Sequence, residues 1–394
     1  MSEGRALRHD TTPSESQRLW RDARRYLNQH RYDLTRTSKR LHAELPQVRP
    51  AGLLVRQDWL AADPVPLDRI TLDLRPDAQP AQIAGSEPES SLVRPLRSDG
   101  SRFPTYAEAL ATLDRPALFE DRTSYRLLQV EQTADGTPRL HFGLGAYLDV
   151  ISVSEAVAHE LALASMRQSG TVTRDKLPFR SLIGDPCSPV RRRLMPALSV
   201  LTLRSERGGG ARFVLHWRDP QKVAHAGGLY QVMPVGMFQP SHDAKWNILN
   251  DFDLWKSMVR EYSEEFLGAT EQYGSAVAPI DYEQWPFFRT LTTARRSGTV
   301  RVYWLGLGVD PLSFVTDMLF AAVFDHKVFD DIFGRLVEVN EEGQVIDRTD
   351  SDSASFGIPF TENSVRRFAE REPMQPAGSA LLQLSWEHRT ALLS

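Results

Sequence analysis

The clearest hydrophobic pattern lies near the start of the chain. Ser14 to Leu41 contains no proline or glycine, and Trp20, Leu27, Leu34 and Leu41 recur every seven residues, which predicts one long helix with an apolar stripe. Prolines then break short apolar runs from Leu53 to Leu74, and Asp77 to Pro104 is loop-like, rich in Pro, Ser and Gly. A helix over Tyr106 to Leu113 precedes two strand-like runs, Tyr125 to Gln132 and Arg139 to Gly143, with the turn pair Asp135-Gly136 between them. Ser154 to Met166 reads as a helix whose apolar positions cover more than one face, as in a buried element.

The second half is more regular. Ala197 to Leu203 and Arg212 to Trp217 alternate or run apolar around Gly208-Gly209-Gly210, which predicts a hairpin. Tyr230 to Phe238 is a further strand. Leu254 to Leu267 is a helix that Asp251 or Asp253 can cap and Gly268 can end. Val300 to Leu307, Leu319 to Phe324 and Leu336 to Val339 complete the strands, and helices over Thr361 to Glu370 and Gly378 to Leu392 close the chain. Strands interleaved with helices give an α/β fold, and the breaks divide it into residues 1–104 (helix and Pro-rich region), 105–190 (an α+β lobe) and 191–394.

Composition narrows the function classes. The 394 residues carry 41% hydrophobic and 25% charged positions with a net charge of −4, so the whole chain is not biased towards nucleic acid. The single cysteine, Cys187, excludes an internal disulfide and any Cys-rich metal site, and fits a cytoplasmic protein. No stretch approaches a membrane span, and the polar N-terminus lacks a secretion signal.

The first helix is basic: Arg18, Arg21, Arg24, Arg25, Arg31, Arg36, Lys39 and Arg40 outnumber Asp22 and Asp33. Nucleic-acid contact or a coiled-coil homodimer is one reading, but with a single apolar stripe a docking helix is favoured. His159-Glu160 lacks a second histidine at zinc-protease spacing and reads as structural. Arg191-Arg192-Arg193 reads as a surface loop, with contact to an anionic substrate as the sharper alternative.

The candidate chemistry sits on the Leu254 to Leu267 helix. Residues three and four apart share a face, so Glu261, Glu264 and Glu265 project together, and like charges at i and i+4 cost an isolated helix roughly 0.2–0.5 kcal/mol per pair. A bound hard cation offsets that cost, because Mg²⁺ and Mn²⁺ prefer carboxylate oxygens.

The run Arg260-Glu261-Tyr262-Ser263-Glu264-Glu265, with Gly268 close behind, resembles the helical part of the Nudix box, G-x5-E-x7-R-E-U-x-E-E-x-G-U. The strand Gly228 to Gly236, ending in Pro234-Val235-Gly236, resembles the strand that leads into that box. The resemblance implies a Nudix-like α/β/α sandwich with a mixed sheet over residues 191–394, Mg²⁺ or Mn²⁺ as cofactor, and Gly236, Glu261, Glu264 and Glu265 as metal ligands. It makes Arg260 the arginine that pairs with one of those carboxylates and fixes the helix. Glu264 or Glu265 is then the base, unless Asp325, Asp330, Asp331 or Glu338 of a later loop serves. Tyr262 replaces an aliphatic residue, Gly268 falls one place late, and Gly236 stands 24 positions before Arg260, about ten more than in the box. In strict register the upstream glutamate falls at Phe252, beside Asp251 and Asp253. The activity implied is hydrolysis of a nucleoside diphosphate derivative or related phosphoanhydride; the alternative is an inactive, ligand-sensing Nudix-like regulator. Tyr230 and Phe238 can stack on a base or belong to the core.

Overall fold

The computed structural model describes residues 12–394 except 76–77, 117–118, 135, 168–170, 219–227, 270–276, 335–342 and 347–356. Leu336 to Val339, expected as a strand, and Glu338 lie outside the described residues.

The first helical stretch is two helices, α1 (Pro13–Gln29) and α2 (Arg31–Leu41), not one. They break at His30, whose φ of −117° and ψ of 21° are outside the helical region. The break matters because Arg24 and Arg31, which a straight helix would hold roughly 10 Å apart along its axis, both reach the carboxylate of Glu155, at 2.5 and 3.1 Å. All three side chains are buried. Glu155 lies on α4 (Tyr147–Arg167), and the apolar stripe packs on the same helix, Leu27 and Leu34 meeting Ala158, Leu161 and Ala162. The docking-helix reading is thus the one the packing supports.

Between these helices come short strands β1 (Gln47–Val48), β2 (Leu53–Leu54), β3 (Leu60–Pro66) and β4 (Thr71–Leu74), then α3 (Tyr106–Leu113), β5 (Thr123–Gln132) and β6 (Pro138–Ala146). Sheet β4-β6-β5 forms one unit, with the β5/β6 turn at Gly136 (φ +75°). After α5 (Pro178–Ile183) the chain enters the large sheet through β7 (Pro196–Ser205), β8 (Ala211–Phe213) and β11 (Val235–Met237), while β9 (Leu215–Arg218) and β10 (Tyr230–Val232), between β8 and β11, pair with each other in a separate small sheet. Helices α6 (Lys245–Asn250), α7 (Leu254–Leu267) and α8 (Pro286–Arg296) follow, then β12 (Val300–Val309), β13 (Thr316–Phe324), α9 (His326–Phe333), β14 (Gly343–Ile346), β15 (Ile358–Pro359), α10 (Glu362–Arg366), α11 (Pro376–Glu387) and α12 (Arg389–Leu393). Two expected strands are each split in two: Val214 separates β8 from β9, and the cis Met233–Pro234 bond separates β10 from β11. The Gly208 to Gly210 hairpin stands as expected, all three glycines at positive φ.

The large sheet runs β1-β2-β12-β13-β7-β8-β15, with β3 also on β12 and β11 also on β7. It is mixed: β7 and β13 pair in parallel, β12 and β13 antiparallel. Because successive side chains point to opposite faces, the runs of β7 and β13 sort into two cores. Leu198 and Val200 with Met318, Phe320, Ala322 and Phe324 face α7 and α8; Leu201 and Leu203 with Leu319, Ala321 and Val323 face α11. A strand covered on both sides needs apolar residues at every position, which explains the unbroken Met318 to Phe324 run. Residues 47–66, grouped by sequence with the first segment, add β1, β2 and β3 to this sheet. Among the described residues no helix is long and apolar enough to cross a membrane.

One polar pair is set into the α11 side of the sheet. Asp317 is buried, and Ser199 Oγ donates to its Oδ1 at 2.8 Å. Burial raises the carboxyl from 3.8 to about 7, with the Ser199 hydrogen bond opposing the shift. A carboxyl raised on folding binds its proton more tightly in the folded state, so its contribution is greatest below 3.8 and is lost as pH rises through about 7. Asp317→Asn should therefore gain stability over the parent at pH 8, and that gain should vanish at pH 4, in urea melts at the two values. The slope involved is at most roughly 1.4 kcal/mol per pH unit.

Candidate active site

Helix α7 has the boundaries its sequence implies. The Asp253 carboxylate accepts the Lys256 N–H at 2.9 Å, satisfying an otherwise orphaned donor, and Gly268 ends the helix at φ 62° and ψ 23°. Leu254, Met258, Tyr262 and Phe266 are buried against the sheet side of the helix, and Tyr262 Oη lies 2.8 Å from Thr202 Oγ1 of β7. That anchoring fixes the rotation of α7, so the glutamates line its flank beside β11.

Glu265 is buried and its Oε1 accepts the Val235 N–H at 2.8 Å. One turn earlier, the Glu261 carboxylate lies against Gly236, where an added β-carbon would come within 1.9 Å of Glu261 Cδ. Gly236 pairs with Leu198 of β7, so the sheet holds it in place. The structure thus brings Gly236, Glu261 and Glu265 together. Glu264 is half-buried on the same helix, and its backbone carbonyl accepts the Gly268 N–H at 3.0 Å. Among the described residues no three His, Cys, Asp or Glu side chains stand together as a metal site. The chemistry of the donors nevertheless suits a hard cation: carboxylate oxygens beside a strand backbone that carries no side chain. Gly236→Ala tests that contact. The backbone tolerates alanine, since φ is not positive there, but the methyl must displace the Glu261 carboxylate. On the reading that these donors hold a hard cation, the expected result is at least a tenfold loss of Mn²⁺ affinity by calorimetry with an unchanged circular-dichroism spectrum.

Arg260 does not pair with the glutamates as expected. It is buried and turns to the other side of the helix, where Nη2 donates to the Gln239 carbonyl at 2.7 Å and to Ser257 Oγ at 3.2 Å, and Nη1 lies 3.9 Å from Asp251 Oδ2. Its neighbour Asp251 is fully buried and accepts hydrogen bonds from the Ser241 N–H and Oγ, Asn250 Nδ2 and Tyr282 Oη. Asp251 therefore ties the chain before α7 to the Tyr282 segment after it, while Asp253 serves as the cap. A buried carboxylate needs such partners, but they come from Ser241 and Tyr282, too far along the chain for a sequence pattern to reveal.

The later base candidates have other contacts. Asp325 caps α9, accepting the Lys327 N–H at 2.9 Å, and Asp330 makes a two-point ion pair with Arg204, both contacts 2.7 Å. Asp331 is exposed. Phe238 is core, its ring 4.6 Å from that of Tyr125 and 5.2 Å from that of Phe142, and Tyr230 packs edge-on to Phe368. Arg192 is not in a surface loop: it is buried, with Nε donating to the Pro186 carbonyl and Nη2 to Thr316 Oγ1. His159 and Glu160 are structural. The first is held by Tyr106 Oη at 3.0 Å and pushed down to about 3 by burial; the second accepts the Phe179 and Arg180 N–H groups.

No protein-family model matches the chain, and no curated protein matches it. Two of the solved structures it is similar to are both described as Nudix hydrolases. One, RenU from M. smegmatis, is 16% identical over 51% of this chain and 92% of that one, with a TM-score of 0.25. The other, from Alicyclobacillus acidocaldarius, is 14% identical over 48% and 90%, with a TM-score of 0.26. Similarity at that level assigns neither a family nor an activity to this chain.

Proposed function

We propose that the chain is a Nudix-type hydrolase that acts, with Mg²⁺ or Mn²⁺, on a nucleoside diphosphate derivative or a related phosphoanhydride. The observation that supports this is the seating of Glu261 on Gly236 beside Glu265, which gathers hard oxygen donors from a rigid helix and a strand. Bound there, the cation would neutralise phosphate charge and lower the pKa of a water. Glu261, seated on Gly236, is the residue that would hold it; the Gly236 carbonyl, a ligand only by the resemblance, faces β7 through the pairing with Leu198. Glu265 adds a carboxylate whose position is set by the Val235 N–H, and a carboxylate has lone pairs beyond the one this bond uses. Glu264, less buried than Glu265, is the better placed of the two to take a proton from water. Arg260 and Asp251 act at a distance, fixing the entry to α7.

Calorimetric titration with Mn²⁺, followed by phosphate release from a panel of nucleoside diphosphate derivatives, tests this. Saturable metal binding with metal-dependent turnover is the expected outcome; turnover that persists in excess EDTA would sink it. The inactive, ligand-sensing alternative is favoured by one observation, the lack of a three-ligand group among the described residues. Its signature is nucleotide binding in EDTA that Glu261→Gln/Glu265→Gln abolishes, without turnover.

A further inference from the structure

The basic residues of α1 and α2 are only partly used for docking. Arg24 and Arg31 are consumed by Glu155, and Arg25 pairs with Asp22. Arg36 and Arg40, exposed and one turn apart, have no ion-pair partner among the described residues. Like charges at that spacing disfavour the helix. Between them stands Lys39, whose Nζ donates to the Pro50 carbonyl at 3.0 Å and whose stem lies on Gly52, where a β-carbon would come within 2.4 Å of Lys39 Cδ. Burial holds Lys39 below its usual value, and Arg36 adds repulsion.

These three cations line one wall of a cleft of about 550 Å³, within the usual range for small-molecule sites. The other side carries Glu370 and Glu372, on and after a single π-helical turn, Arg367–Arg371, an irregularity often found at functional sites; Glu372 accepts from Arg367 Nε at 2.9 Å and Glu370 lies 4.0 Å from Arg366 Nε, each keeping further lone pairs, and Asp33 also lines the cleft. Tyr32 also lines it. The cleft lies beside the N-terminal end of α11, across the sheet from α7.

The cleft therefore presents both signs of charge, Arg36, Lys39 and Arg40 with Asp33 on α2 and the arginine-paired Glu370 and Glu372 across from them. A ligand with a phosphate at one end and hydrogen-bond donors at the other satisfies both walls. We infer that this cleft binds an organic phosphate of mononucleotide size, its phosphate on Arg36, Lys39 and Arg40 and its donor groups on Glu370 and Glu372. It is a site separate from the glutamates of α7 and does not depend on their chemistry.

Isothermal titration of the full chain with AMP and with inorganic phosphate, in EDTA, tests the assignment. AMP should bind at least tenfold more tightly than phosphate, and Arg36→Ser/Arg40→Ser should weaken it at least tenfold. Glu370→Gln should weaken AMP alone, and Glu261→Gln/Glu265→Gln should leave AMP binding unchanged. Both substituted arginines are exposed, so folding is not at stake. No AMP binding to the parent protein, equal binding by the double serine variant, equal affinity for phosphate, or tighter binding of a single-stranded oligonucleotide would each overturn it, as would loss confined to the α7 variant.

Discussion

Under the proposed metal-dependent hydrolysis, Glu261→Gln/Glu265→Gln will give no measurable heat of Mn²⁺ binding and will turn over at least about a hundredfold more slowly than the parent, a loss of roughly 2.7 kcal/mol of transition-state stabilisation. Glutamine keeps the length of each side chain, and its carbonyl can still accept the Val235 N–H that Glu265 now accepts at 2.8 Å. The β11 anchor should therefore survive, so the lost quantity is negative charge and not fold. Glu264→Gln separates the roles further: metal binding should remain while turnover falls. Metal heat and turnover equal to the parent in the double variant would exclude these carboxylates from the chemistry and leave the ligand-sensing reading in place.

Glu155→Ala will destabilise the protein by roughly 3–5 kcal/mol, because it removes the buried carboxylate that Arg24 and Arg31 share, leaving Arg24 with the more exposed Asp114 at 3.5 Å. Arg24, Arg31 and Glu155 are each no more than 3% exposed. Breaking such a group costs far more than cutting a surface pair, and the exposed Arg25 to Asp22 bridge supplies the control: Asp22→Ala should change stability by less than about 1 kcal/mol. Urea denaturation of the three proteins measures both. A Glu155→Ala loss no larger than that of Asp22→Ala would mean that water reaches the two arginines once the glutamate is gone.

The parts of this fold legible in the sequence are those governed by local rules. Helix α7 could be bounded because an Asp cap, a 3.6-residue apolar period and a terminal glycine agree within one short stretch. The Gly208 to Gly210 hairpin was legible for a similar reason, since only glycine takes three successive positive φ values cheaply. The glutamates were identifiable as sharing a face, but not that one of them would rest on Gly236, a contact across the chain. What local rules missed is set by distant partners. Nothing in Arg260 itself announces that it leaves the glutamates for Gln239 and Asp251. The division of the first helix at His30 follows from Glu155, more than a hundred positions later. Nor do the proline-broken runs around β3 reveal that its partner is β12.

That last pairing bears on how the chain can be handled. Strands β2 and β3 cover the side of β12 that β13 does not occupy. A fragment cut to residues 191–394 would leave that side of β12 as a bare edge, its amide and carbonyl groups free to recruit a strand from a neighbouring molecule. The same rule governs synthesis: β2 and β3 are made long before β12, the strand they pair with, so the growing chain carries them without that partner until β12 has left the ribosome.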